Sequence, residues 1–403
     1  MRRLLTLVCV LVGVDTMLFA ALTPLLPHLA RQLGLSTGSA GVLVAAYAAG
    51  ALLGGIPGGV AAVKIGPRRA VLAGLTMMGI ASLAFALAGD FATLFVARIA
   101  QGAGSAFTWA GAFAWLLATA PRANRGEVIG TALGAAVFGA LFGPVVGAIA
   151  AVTGRATVFS TLAAVAIVLI ALTLRLDSPA SEEEPSAAAL RRALMDSPLF
   201  SGGLVLMVLA SVLAGIISVL APLHLAAAGW GATAIGAVWL IGAAVETAQS
   251  PLVGRLSDRR GALVPVRYAM SAGVVASAAL ALGGAAPLYA LFVVLASLTY
   301  GALFTPAFAL IADGAEHAGL AQGMAFGVMN AAWALGAVVG PAAGGAIAQA
   351  TGDAIPFLIA AGICLLLLLA VRGRSLAPAA AAPAASVEAT GEASAEPAAS
   401  SAG

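Results

Sequence analysis

Charge is what this sequence has least of. Asp, Glu, Lys and Arg together make up 9% of 403 residues, while apolar side chains make up 62%. A soluble chain of this length would form two or three domains, but so little charge does not keep such a surface in water. Only two cysteines are present, Cys9 and Cys364, in apolar runs near opposite ends, which suggests neither a disulfide framework nor a metal site. The three histidines, His28, His224 and His317, fall near the ends of runs or between them. No nucleophile–base pair or metal cluster is apparent, which argues against a membrane enzyme. No glycine-rich phosphate loop of the Walker type is found, so ATP is not the expected energy source and no cofactor is called for. The net charge of +3 says little, because the placement of charge matters more than its sum, and no nucleic-acid partner is expected.

What the chain has instead is apolar length. A membrane-spanning helix needs about 20 mainly apolar residues. On that scale there are twelve candidates, at about 4–30, 38–62, 70–89, 91–119, 127–151, 156–175, 199–225, 231–253, 264–283, 286–312, 320–348 and 354–371. The first run follows Arg2 and Arg3 but reads as a span rather than a cleaved leader. Asp15 interrupts it, and no clear small-residue cleavage site precedes Thr23-Pro24. One long gap divides the chain six plus six, predicting an N-terminal bundle over 1–175, a cytoplasmic central loop over 176–198 and a C-terminal bundle over 199–372. That loop carries Ser181-Glu182-Glu183-Glu184-Pro185 and then Arg191-Arg192. Residues 373–403, rich in Ala, Pro, Ser and Glu, read as a disordered cytoplasmic tail. With both termini cytoplasmic, only Arg31 and Arg155 of the nineteen Lys and Arg fall outside and Arg98 within the membrane. Such asymmetry fits the positive-inside rule. The fold class expected is an all-α membrane protein, twelve transmembrane helices in two six-helix bundles.

The halves repeat one another. Gly59 to Arg69, containing Lys64, Gly66, Arg68 and Arg69, joins the second and third spans. Gly254-Arg255-Leu256-Ser257-Asp258-Arg259-Arg260-Gly261 joins the eighth and ninth, 195 residues later. Gly143-Pro144 in the fifth span recurs as Gly340-Pro341 in the eleventh, 197 residues later. A shared spacing for two separate motifs implies two bundles around a central path, as expected of a transporter.

Over about residues 1–372 the chain resembles the major facilitator superfamily. Gly254 to Gly261 matches its loop motif G-x-L-x-D-R-x-G, and Arg98-Ile99-Ala100-Gln101-Gly102-Ala103-Gly104 its fourth-helix motif R-x-x-Q-G-x-G. Gly139 to Gly147 resembles the fifth-helix motif of export-directed antiporters. Asp15-Thr16-Met17-Leu18 with Pro24-Leu25-Leu26-Pro27, and Gly340 to Ala348, resemble the first and eleventh helices of the twelve-helix drug:proton antiporters, vesicular amine transporters included. Asn330 and Ala221 stand where the amine transporters carry acids, which weakens a monoamine assignment. The resemblance implies alternating access, proton release from Asp15 gated by Arg98, and export.

Asp15, Arg98 and Glu246 are the ionisable residues well inside the apolar runs. Charges there are costly unless paired or facing water, so they are kept mainly for function. Asp15 lies about 18 Å along the helix from Arg3, near the bilayer midplane, a place that suits a group exchanging a proton for a cationic substrate. Arg98 cannot lose its charge and needs an acceptor: Asp15, a backbone carbonyl or water. Gln101 shares its face. Glu246 is also near the midplane and reads as a second protonation or substrate-contact site. Tyr47, Trp109, Trp239, Tyr300 and Trp333 are candidate cavity aromatics, with Asn330 sharing a face with Trp333. Gly139, Gly143 and Gly147 form a smooth helix face, and Pro144 permits a bend, so the fifth and eleventh spans are expected at the moving interface. Asp258 with Arg259 is expected to lock a cytoplasmic contact, whereas Val63 replaces that acid in the first half.

The function expected is proton-coupled export of small amphipathic, cationic compounds by a monomer in the lipid bilayer of the cell membrane. The rival from the same fold exports sugars or other neutral metabolites, with Asp15 carrying only the proton. From other classes come a polytopic enzyme or a non-transporting receptor.

Overall fold

The computed structural model describes residues 1–120, 125–177, 187–320 and 322–372, and every regular element among them is helical. In the N-terminal half these are α1 (Arg2–Ala20), α2 (Leu22–Leu33), α3 (Thr37–Lys64), α4 (Pro67–Leu87), α5 (Phe91–Thr119), α6 (Arg125–Thr153) and α7 (Arg155–Leu174). A short α8 (Ala187–Asp196) follows. The C-terminal half holds α9 (Pro198–Ala227), α10 (Ala232–Arg260), α11 (Leu263–Leu282), α12 (Ala286–Gly301), α13 (Phe304–His317), α14 (Gln322–Thr351) and α15 (Ala354–Val371). The Glu-rich stretch 181–185, the tail 373–403 and the Asp258 side chain lie outside what is described.

Eleven crossings are apolar and long enough to span a membrane, taking α1 with α2 and α12 with α13 as single crossings. The remaining one, α5, is 29 residues long but carries Arg98, Gln101 and Ser105. Its polar face is buried inside the N-terminal bundle, where it packs on α3 and α4. Counting α5, twelve crossings result, six in each half of the chain.

Several expectations are corrected in detail. The first span is broken at Ala21, and the tenth at Ala302–Leu303. Pro24 and Pro306 each lack the N–H that would bond the carbonyl four residues back, so the ladder opens there. The motif segments that read as loops are mostly helix: α3 runs to Lys64 and α10 to Arg260. Glycine inside a helix costs only about 1 kcal/mol, so Gly59 and Gly254 do not stop it. The helices end at Gly66 and Gly261, whose φ values of 93° and 85° exclude continuation and favour glycine. The central segment is not wholly loop, because α8 buries Ala189 and Ala193 against the bundle and leaves Arg191 and Arg192 exposed.

Caps and clamps set the helix ends. Ser36, Asp90 and Ser197 accept from the N–H groups of Ser39, Thr93 and Phe200 to start α3, α5 and α9. The Asp90 carboxylate also accepts from the Thr93 hydroxyl, and both bonds hold it below its ordinary value. Arg68 donates to the Leu174 carbonyl, tying α4 to the end of α7. Arg267 does the same for α11 and α15 through the Val371 carbonyl. Basic groups thus satisfy the last carbonyls of helices at matching places in both halves.

In their outer portions the halves meet at two seams. Gly38 N–H donates to Gln349 Oε1 at 3.1 Å, and a Cβ at Gly41 would strike the Pro341 carbonyl. Across the other seam, Gly236 of α10 lies against Pro144 and Ala148 of α6. Near the other ends of the helices, Phe113 of α5 stacks on Phe326 of α14, centroids 5.3 Å apart.

Most of the motif glycines expected at the moving interface are turned inward instead. Gly139, Gly143 and Gly147 lie against the backbone of α1 and Ala21, and Gly340 against Val212 of α9. Close backbone approach is thus used within each half by these glycines, while Gly345 of the eleventh-span motif uses it across the halves, against Thr37 and Gly41 of α3. Accordingly α6 pairs with α10 and α14 with α3, rather than α6 with α14.

Candidate functional site

Helix α5 presents Arg98, Gln101, Ser105 and Trp109 at intervals of three, four and four residues, one face of a 3.6-residue helix. Asp15 of α1 and Tyr47 of α3 project toward that face. The Asp15 carboxylate accepts from Tyr47 Oη at Oδ1 (2.7 Å), and from Ser105 Oγ (2.8 Å) and Trp109 Nε1 (2.7 Å) at Oδ2. It is 3% exposed, so these donors replace water almost completely. Trp109 can only donate, but the hydroxyls of Tyr47 and Ser105 can rotate to accept. The cluster can therefore satisfy Asp15 whether or not it carries a proton.

Arg98 is 1% exposed and makes no ion pair with Asp15. Its guanidinium donates to the carbonyls of Leu18 (3.3 Å) and Phe19 (3.4 Å) and to Gln101 Oε1 (3.1 Å), while Gln101 Nε2 donates to Ser82 Oγ. It also sits 4.7 Å over the Tyr47 ring. The break in the first span lies just beyond these carbonyls, so the cation sits where Pro24 opens the helical ladder. Arg98 and Asp15 thus communicate through Tyr47, which touches both.

A cavity of about 260 Å³ lies between the halves. Arg98 and Phe19 form part of its N-terminal wall, and Glu246, Trp239, Tyr300 and Trp333 part of its C-terminal wall. Pro144 and Pro341 also border it. Phe19 bridges the site, its ring 5.2 Å from both Tyr47 and Trp333. On the cytoplasmic side, Trp109 stacks on Phe113 and Phe113 on Phe326. Two aromatic chains therefore run from the partners of Asp15 to α14. A larger groove of about 570 Å³ between α4 and α5 opens past the exposed Ile80 and Val96. Thr93 is its only polar side chain, so it holds no chemistry.

A sequence profile of the Major Facilitator Superfamily matches residues 8–325. The chain belongs to the major facilitator superfamily. Among solved structures, this facilitator is similar to the nucleoside transporter NupG, with TM-score 0.71 and 17% identity over 92% of this chain and 98% of that one. The D-xylose-proton symporter gives 0.70 and 15%, over 91% and 95%. A bacterial homologue of the human lysosomal transporter Spinster, in an inward-facing and unoccupied conformation, gives 0.71 and 14%, over 91% and 94%. At such identities the likeness is one of fold. A probable vesicular acetylcholine transporter-B of Danio rerio is 35% identical over 114 residues, 26% of this chain and 23% of that relative. The chain thus matches less than a quarter of that relative's length. This facilitator is a multi-pass secondary transporter of the cell membrane for a small-molecule substrate, not an enzyme.

The expected site residues separate into two groups. Asp15, Tyr47, Arg98, Gln101 and Trp109 come together inside the N-terminal bundle, and of these only Arg98 borders the cavity. Glu246, Trp239, Tyr300 and Trp333 line the cavity from the other side, and Asn330 does not. The Tyr300 hydroxyl is engaged with Ser277 Oγ, so it offers the cavity its ring. His28 is exposed, His317 Nδ1 meets the Asp313 carbonyl, and His224 stacks on Tyr289 beside Asp353 at 3.5 Å. Arg69 and Arg259 are exposed at the cytoplasmic ends of α4 and α10.

Sequence reasoning missed Ser105, Ser82, Phe19, Phe113 and Phe326. Ser105 was accessible, because it stands seven residues after Arg98 on the same helix face. The phenylalanines were not, since an apolar ring in an apolar run carries no mark of its neighbours.

Proposed function

We propose that this transporter exports small amphipathic cations in exchange for protons, by alternating access. The observation carrying the reading is the Asp15 cluster: a buried acid whose hydroxyl partners accommodate both protonation states, joined through Tyr47 to Arg98 on the cavity wall. A proton entering from outside occupies Asp15. Inward opening or substrate binding shifts Arg98 and Tyr47 and releases it. Packed outer seams and a cytoplasmic seam bridged by one ring pair suit a state closed to the outside. The partial likeness to a relative named for acetylcholine, a quaternary ammonium ion, supports a cationic substrate. One chain holds the complete cavity, which supports a monomer as the working unit.

The test is uptake of a labelled quaternary ammonium ion into proteoliposomes with an acidic interior. Uptake that collapses with the pH gradient supports the reading. Uptake indifferent to the gradient, from active protein, removes proton coupling from it.

A further inference from the structure

Two acids stand near the middle of this transporter, and their surroundings treat them differently. Asp15 is 3% exposed, does not line the central cavity and has three donors. Glu246 borders the cavity, yet among the described residues its side chain has no hydrogen-bond donor and no ion-pair partner. Its carboxyl group lies against Gly301, where any Cβ would collide with it. A carboxylate in such a place needs a proton or a cation from outside the protein.

Arg98 is not that cation. Its fork is engaged by two backbone carbonyls and Gln101, its face by the Tyr47 ring, and no ion pair links it to Glu246. Its fixed charge on the opposite wall instead disfavours a second cation at that end. Around Glu246 the walls are Trp239, Tyr300, Trp333 and Phe19, whose faces attract cations. Charge and rings together therefore favour a cation at the Glu246 end. The volume lies below that of cavities holding drug-sized ligands, about 300–1,000 Å³, which favours a single-ring ammonium over a polycyclic one.

We propose that Glu246 is the counter-ion of a small aromatic or alkyl ammonium substrate, while Asp15 holds the coupling proton at a separate place. The two sites communicate through Arg98 and through Phe19, which touches both Tyr47 and Trp333. The assignment rests on the cation-export reading above and divides its labour between two acids.

Equilibrium dialysis of labelled phenyltrimethylammonium against the purified full-length protein tests it. Its charge is permanent, so pH changes act only on the protein. Glu246→Gln should weaken binding by at least about tenfold, the scale for removing one partner of a desolvated charge pair. That variant loses no protein hydrogen bond and should fold. Gly301→Ala displaces the carboxylate without removing it and should also weaken binding, which keeps the test open if Glu246→Gln fails to fold. Asp15→Asn, which stands in for protonated Asp15, should still bind the cation, but with an affinity that no longer changes with pH, because the proton that binding displaces is gone. Binding that survives both Glu246→Gln and Gly301→Ala would overturn the assignment alone. Loss of binding in Asp15→Asn would overturn the division of labour. Wild type that binds no cation would overturn the cation-export reading and this inference with it.

Discussion

Replacing Asp15 by Asn and by Ala should have very different consequences for stability. In Asp15→Asn, the amide oxygen can occupy the Oδ2 position and accept from Ser105 and Trp109. The amide nitrogen then faces Tyr47, whose hydroxyl rotates to accept. Every polar atom keeps a partner, so the cost should stay below about 1 kcal/mol. In Asp15→Ala, Ser105 can turn back to the carbonyl of its own helix and Tyr47 can reorient. Trp109, which can only donate, is left without an acceptor. An unsatisfied buried group costs about 1–3 kcal/mol, and the small void adds to it. The difference should therefore be about 2 kcal/mol or more, measured by reversible unfolding of the purified protein in mixed micelles. Equal losses in both variants would refute the reasoning, because they would mean that Asp15 is held as an ion by Arg98 rather than by neutral donors.

Arg98→Lys keeps the charge but loses the fork and the ring contact, leaving carbonyls of Leu18 and Phe19 short of donors. Transport should fall sharply while the protein still folds, as gradient-driven uptake will measure. Gly41→Ala places a methyl against the Pro341 carbonyl across the outer seam, whereas Gly55→Ala meets nothing within 4 Å. The first should raise labelling of a Thr23→Cys reporter by impermeant maleimide from outside, and the second should not. Asp90 has a folded pKa held below its unfolded value of about 3.9, so its cap should stabilise above that pH and fade as pH falls through the folded value. The stability gap between wild type and Asp90→Ala, followed across acid pH, should shrink in that direction.

Much of the fold was legible because a bilayer makes apolar length a direct signal of crossing. The bounds of α5 and α15 match those expected of them, since Asp90 caps the one and Asp353 precedes the other. The breaks near Ala21 and Ala302 were harder to read, because Pro24 and Pro306 sit in runs long enough to look continuous. The ends of α3 and α10 were misplaced for the opposite reason: charged and glycine residues resemble a loop, yet helix continues to the first left-handed glycine. In the site, rarity of charge picked out Asp15, Arg98 and Glu246, and face spacing linked Arg98 to Gln101. The orientation of one helix about its axis relative to another was not legible. It decides that Arg98 meets the carbonyls of Leu18 and Phe19, that Gly139 faces α1, and that Asp15 lies behind the cavity wall.

The central claim is that substrate and proton occupy separate acids that act on each other. Proton release from weakly buffered, purified protein on addition of phenyltrimethylammonium tests it most directly. Wild type should release protons, Asp15→Asn should bind the cation without release, and Glu246→Gln should do neither. Undiminished release from folded Asp15→Asn would contradict the account.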